Sequence, residues 1–161
     1  LNERICNRQL YYAHRLINNI DQSEYYLDQY INSGIWHRMD SILIVYKFCK
    51  IDEEQNANHL LNNYRISLEN RLSGNISNWV LLNLSAIHAM LNEKEKSLKY
   101  LSEAVELGQG STIFRLIEYY PFFENLKDDP EFKTIIEHNN DKLEKVQAQI
   151  NQMRERGEIT F

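Results

Sequence analysis

The chain has 161 residues, of which 43% are hydrophobic and 25% are charged. This composition is typical of one folded domain and excludes a disordered tail. The net charge is −5, and because a nucleic-acid-binding protein normally presents a basic face to the phosphates, the charge argues against nucleic acid as a partner.

The chain has no apolar run near the roughly 20 residues that a membrane-spanning helix needs, so we expect no membrane insertion. Cys6 and Cys49 lack a metal-type spacing. We expect two buried, reduced thiols, which favours a reducing compartment and a cytoplasmic location. The periplasm is the alternative if an upstream segment spans a membrane. Because the chain begins at Leu1 and not at Met, we expect it to be part of a longer protein.

Apolar residues recur every three or four positions along most of the chain, which predicts α-helices. The predicted helices cover residues 3–20, 22–33, 35–50, 52–73, 77–91, 93–107, 112–119, 130–138 and 141–156. No stretch alternates strictly between apolar and polar residues, so the predicted fold class is all-α. The short connections imply that successive helices pack antiparallel.

Glycines and capping residues predict where these helices end and begin. Five glycines are expected to close helices in a left-handed conformation: Gly34, Gly74, Gly108, Gly110 and Gly157. Four capping residues are followed three positions later by Glu or Gln: Asp21 with Glu24, Asp52 with Gln55, Asn92 with Glu95 and Asp141 with Glu144. Asp129 before Pro130 predicts a further start, since the missing N–H of proline costs nothing at the first helical position.

Residues 78–107 place large and small side chains at fixed positions on two helices. These are Leu81, Leu84 and Ser85 on the first helix, and Ser97, Leu101 and Ala104 on the second. The pattern resembles one tetratricopeptide (TPR) repeat, in which small residues let the two helices approach closely. It departs from that pattern at three positions, where His88 replaces Tyr, Ser97 replaces Ala and Gln109 replaces the closing Pro. Asn92 stands at the turn in place of Gly and tolerates left-handed geometry.

A weaker copy of the pattern precedes this repeat, and a different motif follows it. The copy consists of Ile44, Phe48, Asp52, Ala57 and Leu61. Residues 121–132 read P-x-F-x-x-L-x-x-D-P-x-F, which resembles the tail after the last repeat of bacterial signalling and regulatory proteins. Examples are adenylate-cyclase-type and membrane-spanning transcription regulators.

The resemblance implies a short right-handed α-solenoid of stacked helix pairs with a C-terminal capping helix. Phe123, Leu126 and Phe132 would cover its open end. We expect a single domain over residues 1–161. Its parts are a degenerate helix pair at 1–34, a weak repeat at 35–76, the clearest repeat at 77–110 and a capping segment at 111–161.

Residues suited to catalysis or metal binding do not form a known motif. The histidines are His14, His37, His59, His88 and His138, and none has a metal-type spacing. Nucleophile motifs and phosphate-binding glycine loops are missing. The acidic pairs Glu53-Glu54 and Asp128-Asp129 start helices, where the helix dipole favours negative charge. We therefore expect no enzyme activity, no catalytic residue, no cofactor and no metal.

The resemblance implies a concave groove lined by the first helix of each pair. Six residues are expected to face it and to bind a protein or peptide: Ile42, Tyr46, Trp79, Leu82, Asn83 and Ala86. The alternative is that Tyr46 and Trp79 pack between neighbouring pairs. Asn83 alone does not reproduce the Lys and Asn pattern by which some TPR domains bind a chaperone tail.

Two further surfaces allow other interpretations. Leu143, Val146, Ile150 and Met153 form a stripe that either packs back on the solenoid or joins a weak homodimer. Five tyrosines of the N-terminal third suit a sensor domain for a small apolar ligand or a peptide: Tyr11, Tyr12, Tyr25, Tyr26 and Tyr30. The favoured interpretation is a non-catalytic protein-interaction module within a larger bacterial signalling or regulatory protein.

Overall fold

The computed structural model describes residues 2–33, 41–51, 54–72, 76–108 and 112–159, and every regular element in these ranges is a helix. The predicted all-α class is confirmed. The α-helices are α1 (Asn2–Leu16), α2 (Ile20–Asn32), α3 (Ser41–Ile51), α4 (Glu54–Leu72), α5 (Asn78–Met90), α6 (Lys94–Leu107) and α7 (Pro130–Glu155). Two 3₁₀ helices lie between α6 and α7, the first at Thr112–Tyr119 and the second at Pro121–Leu126.

Helices that follow one another in the chain pack as pairs: α1 with α2, α3 with α4, and α5 with α6. Helix α5 also contacts α3, α4 and the second 3₁₀ helix, and α7 packs on α6 and on the first 3₁₀ helix. The first 3₁₀ helix contacts α1 as well, so the N-terminal pair and the C-terminal segment meet. No helix in the described ranges is long and apolar enough to cross a bilayer.

Helix α5 is the centre of the hydrophobic core. Every side chain from Trp79 to Ala89 is buried. On α6, the side chains of Ser97, Leu101 and Ala104 are buried against it. The close approach of α5 and α6 at small residues, which the repeat pattern implies, is observed.

The apolar residues of the expected capping segment are also buried. Phe123, Leu126 and Phe132 lie in the core, and the ring centroids of Phe123 and Phe132 are 5.7 Å apart. Asn125 Nδ2 ties this segment to the end of α5 by donating to the carbonyl oxygen of Ala89 at 2.9 Å. The segment therefore covers one end of the α5–α6 pair.

Left-handed residues occur at only part of the predicted positions. Asn92 has φ 57° between α5 and α6, and Gly157 has φ 71° after α7, so both predictions are confirmed. Gly108 has φ −85°, and the prediction of a left-handed closure there was wrong. Lys142 Nζ instead satisfies the end of α6, since it donates to the carbonyl oxygens of Val105 at 3.1 Å and Glu106 at 3.3 Å. Gly34, Gly74 and Gly110 lie outside the described residues.

The predicted helix starts have mixed outcomes. Asp129 caps α7 as predicted, because its Oδ1 accepts from the backbone N–H of Glu131 at 2.8 Å and of Phe132 at 3.3 Å. Helix α2 is capped by Asn19 and not by Asp21, which lies inside the first turn. The N-cap of α6 is Glu93 and not Asn92, which forms the turn.

The predicted start at Asp141 was wrong, because residues 130–155 form one continuous helix. The sequence near Asn139 and Asn140 contains neither Gly nor Pro, so nothing there breaks the backbone hydrogen bonding. Asn139 is buried within the helix. The two helices predicted at 130–138 and 141–156 are therefore a single element. The capping pair at residues 52 and 55 lies outside the described side chains.

The two cysteines are thiols and do not form a disulfide, and the prediction that both are buried was wrong. Cys6 is exposed on α1. Cys49 is half-buried, with its Sγ 3.7 Å from the carbonyl oxygen of Ala57.

Candidate functional site

A cleft of about 890 Å³ opens where the turn between α1 and α2 meets α3, the 3₁₀ segments and the first half of α7. Its lining residues are Arg15, Leu16, Asn18, Ile20, Tyr46, Lys50, Glu118, Tyr119, Pro121, Glu124, Lys127, Phe132, Lys133, Ile136, Glu137 and Asn140. Four separate parts of the chain therefore build this surface.

Arg15 is the charged residue that lies deepest in the cleft, with 9% of its surface exposed. It stands in the last turn of α1, where the negative end of the helix dipole favours a cation. Its Nε donates to the carbonyl oxygen of Tyr119 at 3.1 Å, and its Nη2 lies 3.8 Å from Glu124 Oε2. The second distance exceeds that of a hydrogen bond. A guanidinium has five N–H donors, so most of those of Arg15 remain available in the described structure.

Three lysines add positive charge around Arg15. Lys127 Nζ forms a close ion pair with Glu124 Oε2 at 2.8 Å. Lys50 and Lys133 are held more loosely, since the carboxylate oxygens of Glu24 and Asp128 each lie 3.8 Å from their Nζ atoms. The cleft thus combines one buried cation with exposed ones.

Tyr46 joins this cleft to a second one of about 500 Å³. Its ring packs edge-on against Phe122, with the centroids 6.3 Å apart, and Lys50 Nζ lies 4.9 Å from the centre of the Tyr46 ring. The second cleft lies between α3, α4 and the end of α5 and includes Cys49, Ala57 and Leu61.

The six residues predicted to line a groove lie mostly in the core. Ile42, Trp79, Leu82, Asn83 and Ala86 are buried, and Tyr46 is half-buried. The side chain of Asn83 is used within the fold, because its Nδ2 donates to the carbonyl oxygen of Trp79 at 2.8 Å and its Oδ1 accepts from the Tyr64 hydroxyl at 3.3 Å. Of the six, only Tyr46 belongs to the described lining of these two clefts. A binding role for the set stays a prediction.

Sequence reasoning missed Arg15 and Lys50. The partners that bury Arg15 are remote, since its hydrogen bond to Tyr119 spans 104 positions of the chain. Neither residue belongs to a motif in the sequence. The signal that was available is the position of Arg15 in the last turn of an amphipathic helix, which also fits an ordinary surface arginine.

The histidines contact nearby side chains that hold them in place. His88 is buried, with its Nδ1 2.7 Å from Glu93 Oε2, and its ring stacks on that of Tyr100 at 5.4 Å. Burial lowers the pKa of His88, and the hydrogen bond to Glu93 opposes that shift. His138 Nε2 lies 2.7 Å from Glu106 Oε1.

Two further histidines, on α1 and α4, also contact nearby side chains. His14 stacks on Tyr26 at 5.3 Å, and His59 Nε2 lies 2.9 Å from Asn63 Nδ2. His37 lies outside the described residues. Over the part of the chain that the structure describes, no three His, Cys, Asp or Glu side chains converge on a metal-sized site.

The tyrosines of the N-terminal third pack against other aromatic rings. Tyr11 and Tyr30 are buried, and the Tyr11 and Tyr12 centroids are 5.0 Å apart. Tyr25 and Tyr26 form an edge-to-face pair at 5.2 Å. None of the five predicted tyrosines belongs to the described lining of the 890 Å³ cleft.

The stripe on the last helix is partly covered. Leu143 is buried, whereas Val146, Ile150 and Met153 are half-buried. Packing of α7 on α6 accounts for the first of these residues. Self-association through the other three stays a prediction.

Comparison with known proteins gives no relative for this chain: no family model, no curated protein and no solved structure matches it. Its function is therefore inferred from the geometry of the cleft.

Proposed function

We propose that this chain is a non-catalytic protein-interaction module that binds a peptide segment of a partner protein in the cleft at Arg15 and Tyr46. One observation carries the proposal: an open cleft of about 890 Å³ is lined by apolar, aromatic and cationic side chains together. Its volume lies within the range of ligand sites in proteins. Tyrosine and arginine are also the side chains that most often dominate the energy of protein interfaces.

Exposed apolar side chains at the rim support the same proposal. Leu16 and Ile20 are 46% and 40% exposed, although both are large aliphatic residues. Ile17 lies between them in the chain and is 70% exposed. Apolar surface that remains in water at the mouth of a cleft favours association with a partner.

A non-catalytic role is supported by the kinds of side chain in the cleft. Its described lining contains no His, Cys, Ser or Thr, which are the usual nucleophiles and general bases of enzymes. One of its carboxylates, that of Glu124, is held in an ion pair with Lys127. The lining suits recognition better than proton transfer.

The proposal includes a TPR-like arrangement of the helices. Pairwise packing of α1 with α2, α3 with α4 and α5 with α6 supports it, as does the tight contact at Ser85 and Ser97. The tail motif at residues 121–132 supports a host protein of the bacterial signalling or regulatory type. Helical repeats of this kind present extended surfaces for binding.

The sensor-domain alternative has less support. It requires a space between the tyrosines of α1 and α2, and those rings pack on one another and on Tyr120 instead. The cleft lies beside them and has a mixed polar and apolar lining, which suits a peptide better than a small apolar ligand.

The proposed function is tested by selecting binders from a phage library of random dodecapeptides against the purified chain. We expect peptides with a shared sequence pattern to be enriched. Ile20→Asp puts a charge on the rim without disturbing the core and should weaken the enriched peptides at least about tenfold, which is about 1.4 kcal/mol. Ile66→Asp is the matched control, because Ile66 is 50% exposed on α4 and does not line the cleft.

Two results would contradict the proposal. The first is a selection that enriches no common pattern. The second is an equal loss of affinity in the two aspartate variants, which would show that the peptides bind elsewhere.

A further inference from the structure

We infer that the cleft recognises an acidic segment, in which a carboxylate binds the guanidinium of Arg15 while a neighbouring apolar side chain packs at Leu16 and Ile20. The inference rests on the proposed function and names the chemistry of the partner. It draws on the burial of Arg15, the loose ion pairs around it and the exposed aliphatic rim.

The burial of Arg15 is the first step. Only 9% of the surface of Arg15 is exposed, so its side chain has lost part of its hydration, while its free N–H groups still open to the cleft. The described structure supplies one hydrogen bond, to the carbonyl oxygen of Tyr119, and one carboxylate beyond hydrogen-bonding distance. A planar anion in the cleft would satisfy the remaining donors, and a carboxylate matches the fork of an arginine in two parallel hydrogen bonds.

Glu124 does not fill this role. Its side chain is 65% exposed, and its Oε2 atom is shared with Lys127 Nζ at 2.8 Å. The closer partner holds that carboxylate at the surface. Arg15 is therefore a buried cation whose described carboxylate partner lies beyond hydrogen-bonding distance.

The lysines of the rim add long-range attraction for the same kind of ligand. Among the described residues, the nearest carboxylates to Lys50 and Lys133 lie 3.8 Å away, and the two lysine side chains are 51% and 57% exposed. Counting Arg15 and Lys127, the described lining of the cleft contains four cations and three carboxylates, so this lining carries one net positive charge in a chain of net charge −5. These cations thus attract an acidic ligand to the cleft, although the chain as a whole is acidic.

The aliphatic rim requires an apolar group in the same ligand. Leu16 and Ile20 follow Arg15 along the chain and line the same cleft. A free inorganic anion would bind Arg15 and leave these side chains in water, whereas a segment with Asp or Glu beside Leu or Phe contacts both. This selects an acidic peptide over a simple anion.

The test measures the binding of two fluorescein-labelled pools of hexapeptides by fluorescence polarisation. The acidic pool contains Asp, Glu, Leu and Phe in random order, and the matched pool has Asn and Gln in place of Asp and Glu. We expect the acidic pool to bind about 10- to 100-fold more tightly, as charge-assisted hydrogen bonds usually contribute. Sodium acetate at the same carboxylate concentration should not displace it.

Variants then assign the preference to Arg15. Arg15→Gln should remove it, and Arg15→Lys should keep part of it, because the charge remains while the paired hydrogen bonds are lost. Arg156→Gln is the control, since Arg156 pairs with Glu158 and lies far from the cleft. Arg156 follows Asn140, the last cleft residue of α7, by about 24 Å of helix length. Should Arg15→Gln unfold the chain, the exposed Lys133→Glu supplies the readout and should weaken the acidic pool several-fold.

The possible failures have separate meanings. Equal binding of both pools, or a preference that survives both Arg15→Gln and Lys133→Glu, would overturn the inference and leave the peptide-binding function intact. Displacement by acetate would also overturn it, because a carboxylate alone would then suffice. Failure of both pools to bind, together with an unsuccessful phage selection, would overturn the inference and the proposed function.

Discussion

Ser85 and Ser97 exchange hydrogen bonds across the contact between α5 and α6. The Ser85 hydroxyl donates to the carbonyl oxygen of Ser97 at 2.8 Å, and the Ser97 hydroxyl donates to the carbonyl oxygen of Ser85 at 2.9 Å. Both residues are completely buried. Each carbonyl oxygen has two lone pairs, so it accepts this bond in addition to the one within its helix. The contact joins the backbones of the two helices directly.

The size of the side chain at Ser97 is therefore expected to determine the stability of this pair. Ser97→Leu adds three carbon atoms where two backbones meet and should lower the free energy of unfolding by about 3 kcal/mol. Ser97→Ala removes only the hydroxyl and should cost about 1 kcal/mol or less, since alanine also favours the helix. Urea denaturation followed by circular dichroism measures both. Equal losses in the two variants would mean that the hydroxyl and not the close approach stabilises the contact.

The cap of α7 provides a second prediction. Asp129 accepts two backbone hydrogen bonds and forms an ion pair with Lys94, whose Nζ lies 3.0 Å from its carboxylate. The Lys94 contact and the backbone bonds lower the pKa of Asp129. Asp129→Ala should cost about 1 to 2 kcal/mol of unfolding free energy. Asp128→Ala is the control, because the nearest described cation to this exposed neighbour is Lys133 at 3.8 Å, so its loss should change stability by less than about 0.5 kcal/mol. The urea midpoints of the two variants give the comparison. A similar loss of stability in both would contradict the capping role of Asp129.

The helices themselves could be predicted because their signals are local. Apolar spacing and the Asp129-Pro130 pair depend on residues within a few positions, and both gave the correct elements. The wrong start at Asp141 has the same origin. A capping pair and an interior Asp look alike in sequence, and here the continuing hydrogen bonds of a 26-residue helix outweighed the cap.

The candidate site was beyond sequence reasoning because it depends on tertiary contacts. Trp79 and Leu82 were assigned to a groove from their place on a first helix, yet neighbours from α4 and the C-terminal segment bury α5 on every side. Arg15 becomes a deep cleft residue only because Tyr119 and Glu124 fold back on α1. A local sequence pattern does not predict a contact between residues so far apart in the chain.

Tyr11 and Tyr64 differ in whether the fold satisfies their hydroxyls. Among the residues that the structure describes, the buried Tyr11 hydroxyl has no hydrogen-bond partner, and this burial raises the pKa of Tyr11. Tyr11→Phe removes an unsatisfied polar group and should stabilise the chain by about 1 kcal/mol. Tyr64 donates to Asn83 Oδ1 at 3.3 Å, so Tyr64→Phe should instead destabilise by about 1 kcal/mol.

Thermal and urea denaturation of these two variants give the comparison. The same atom is removed in each, so the opposite signs isolate the effect of the hydrogen bond. A loss of stability in Tyr11→Phe would show that its hydroxyl has a partner in solution.

His88 should make the stability of the chain depend on pH. Burial lowers the pKa of His88 in the folded state, despite the opposing hydrogen bond to Glu93, whereas the unfolded chain takes up a proton near pH 6.5. At pH values between the pKa of His88 in the unfolded chain and its lower pKa in the folded chain, the unfolded state binds more protons than the folded state. Stability is therefore fully present above about pH 6.5 and is lost as the pH falls through that window, by at most about 1.4 kcal/mol per pH unit.

His88→Tyr removes this titration and keeps an aromatic ring to stack on Tyr100, so it is the variant for the comparison. Urea denaturation of both proteins at intervals from pH 8 to pH 5 gives the difference in unfolding free energy, in which most other titrating groups cancel. In the variant, Glu93 loses its contact with His88, which is one cause of the lowered pKa of Glu93. The difference in unfolding free energy at the acid end of the range therefore includes a contribution from Glu93. We expect the wild type to lose stability faster on acidification below pH 6.5. Parallel curves would mean that the imidazole becomes protonated in the folded protein as readily as in the unfolded chain, and that burial does not control its charge.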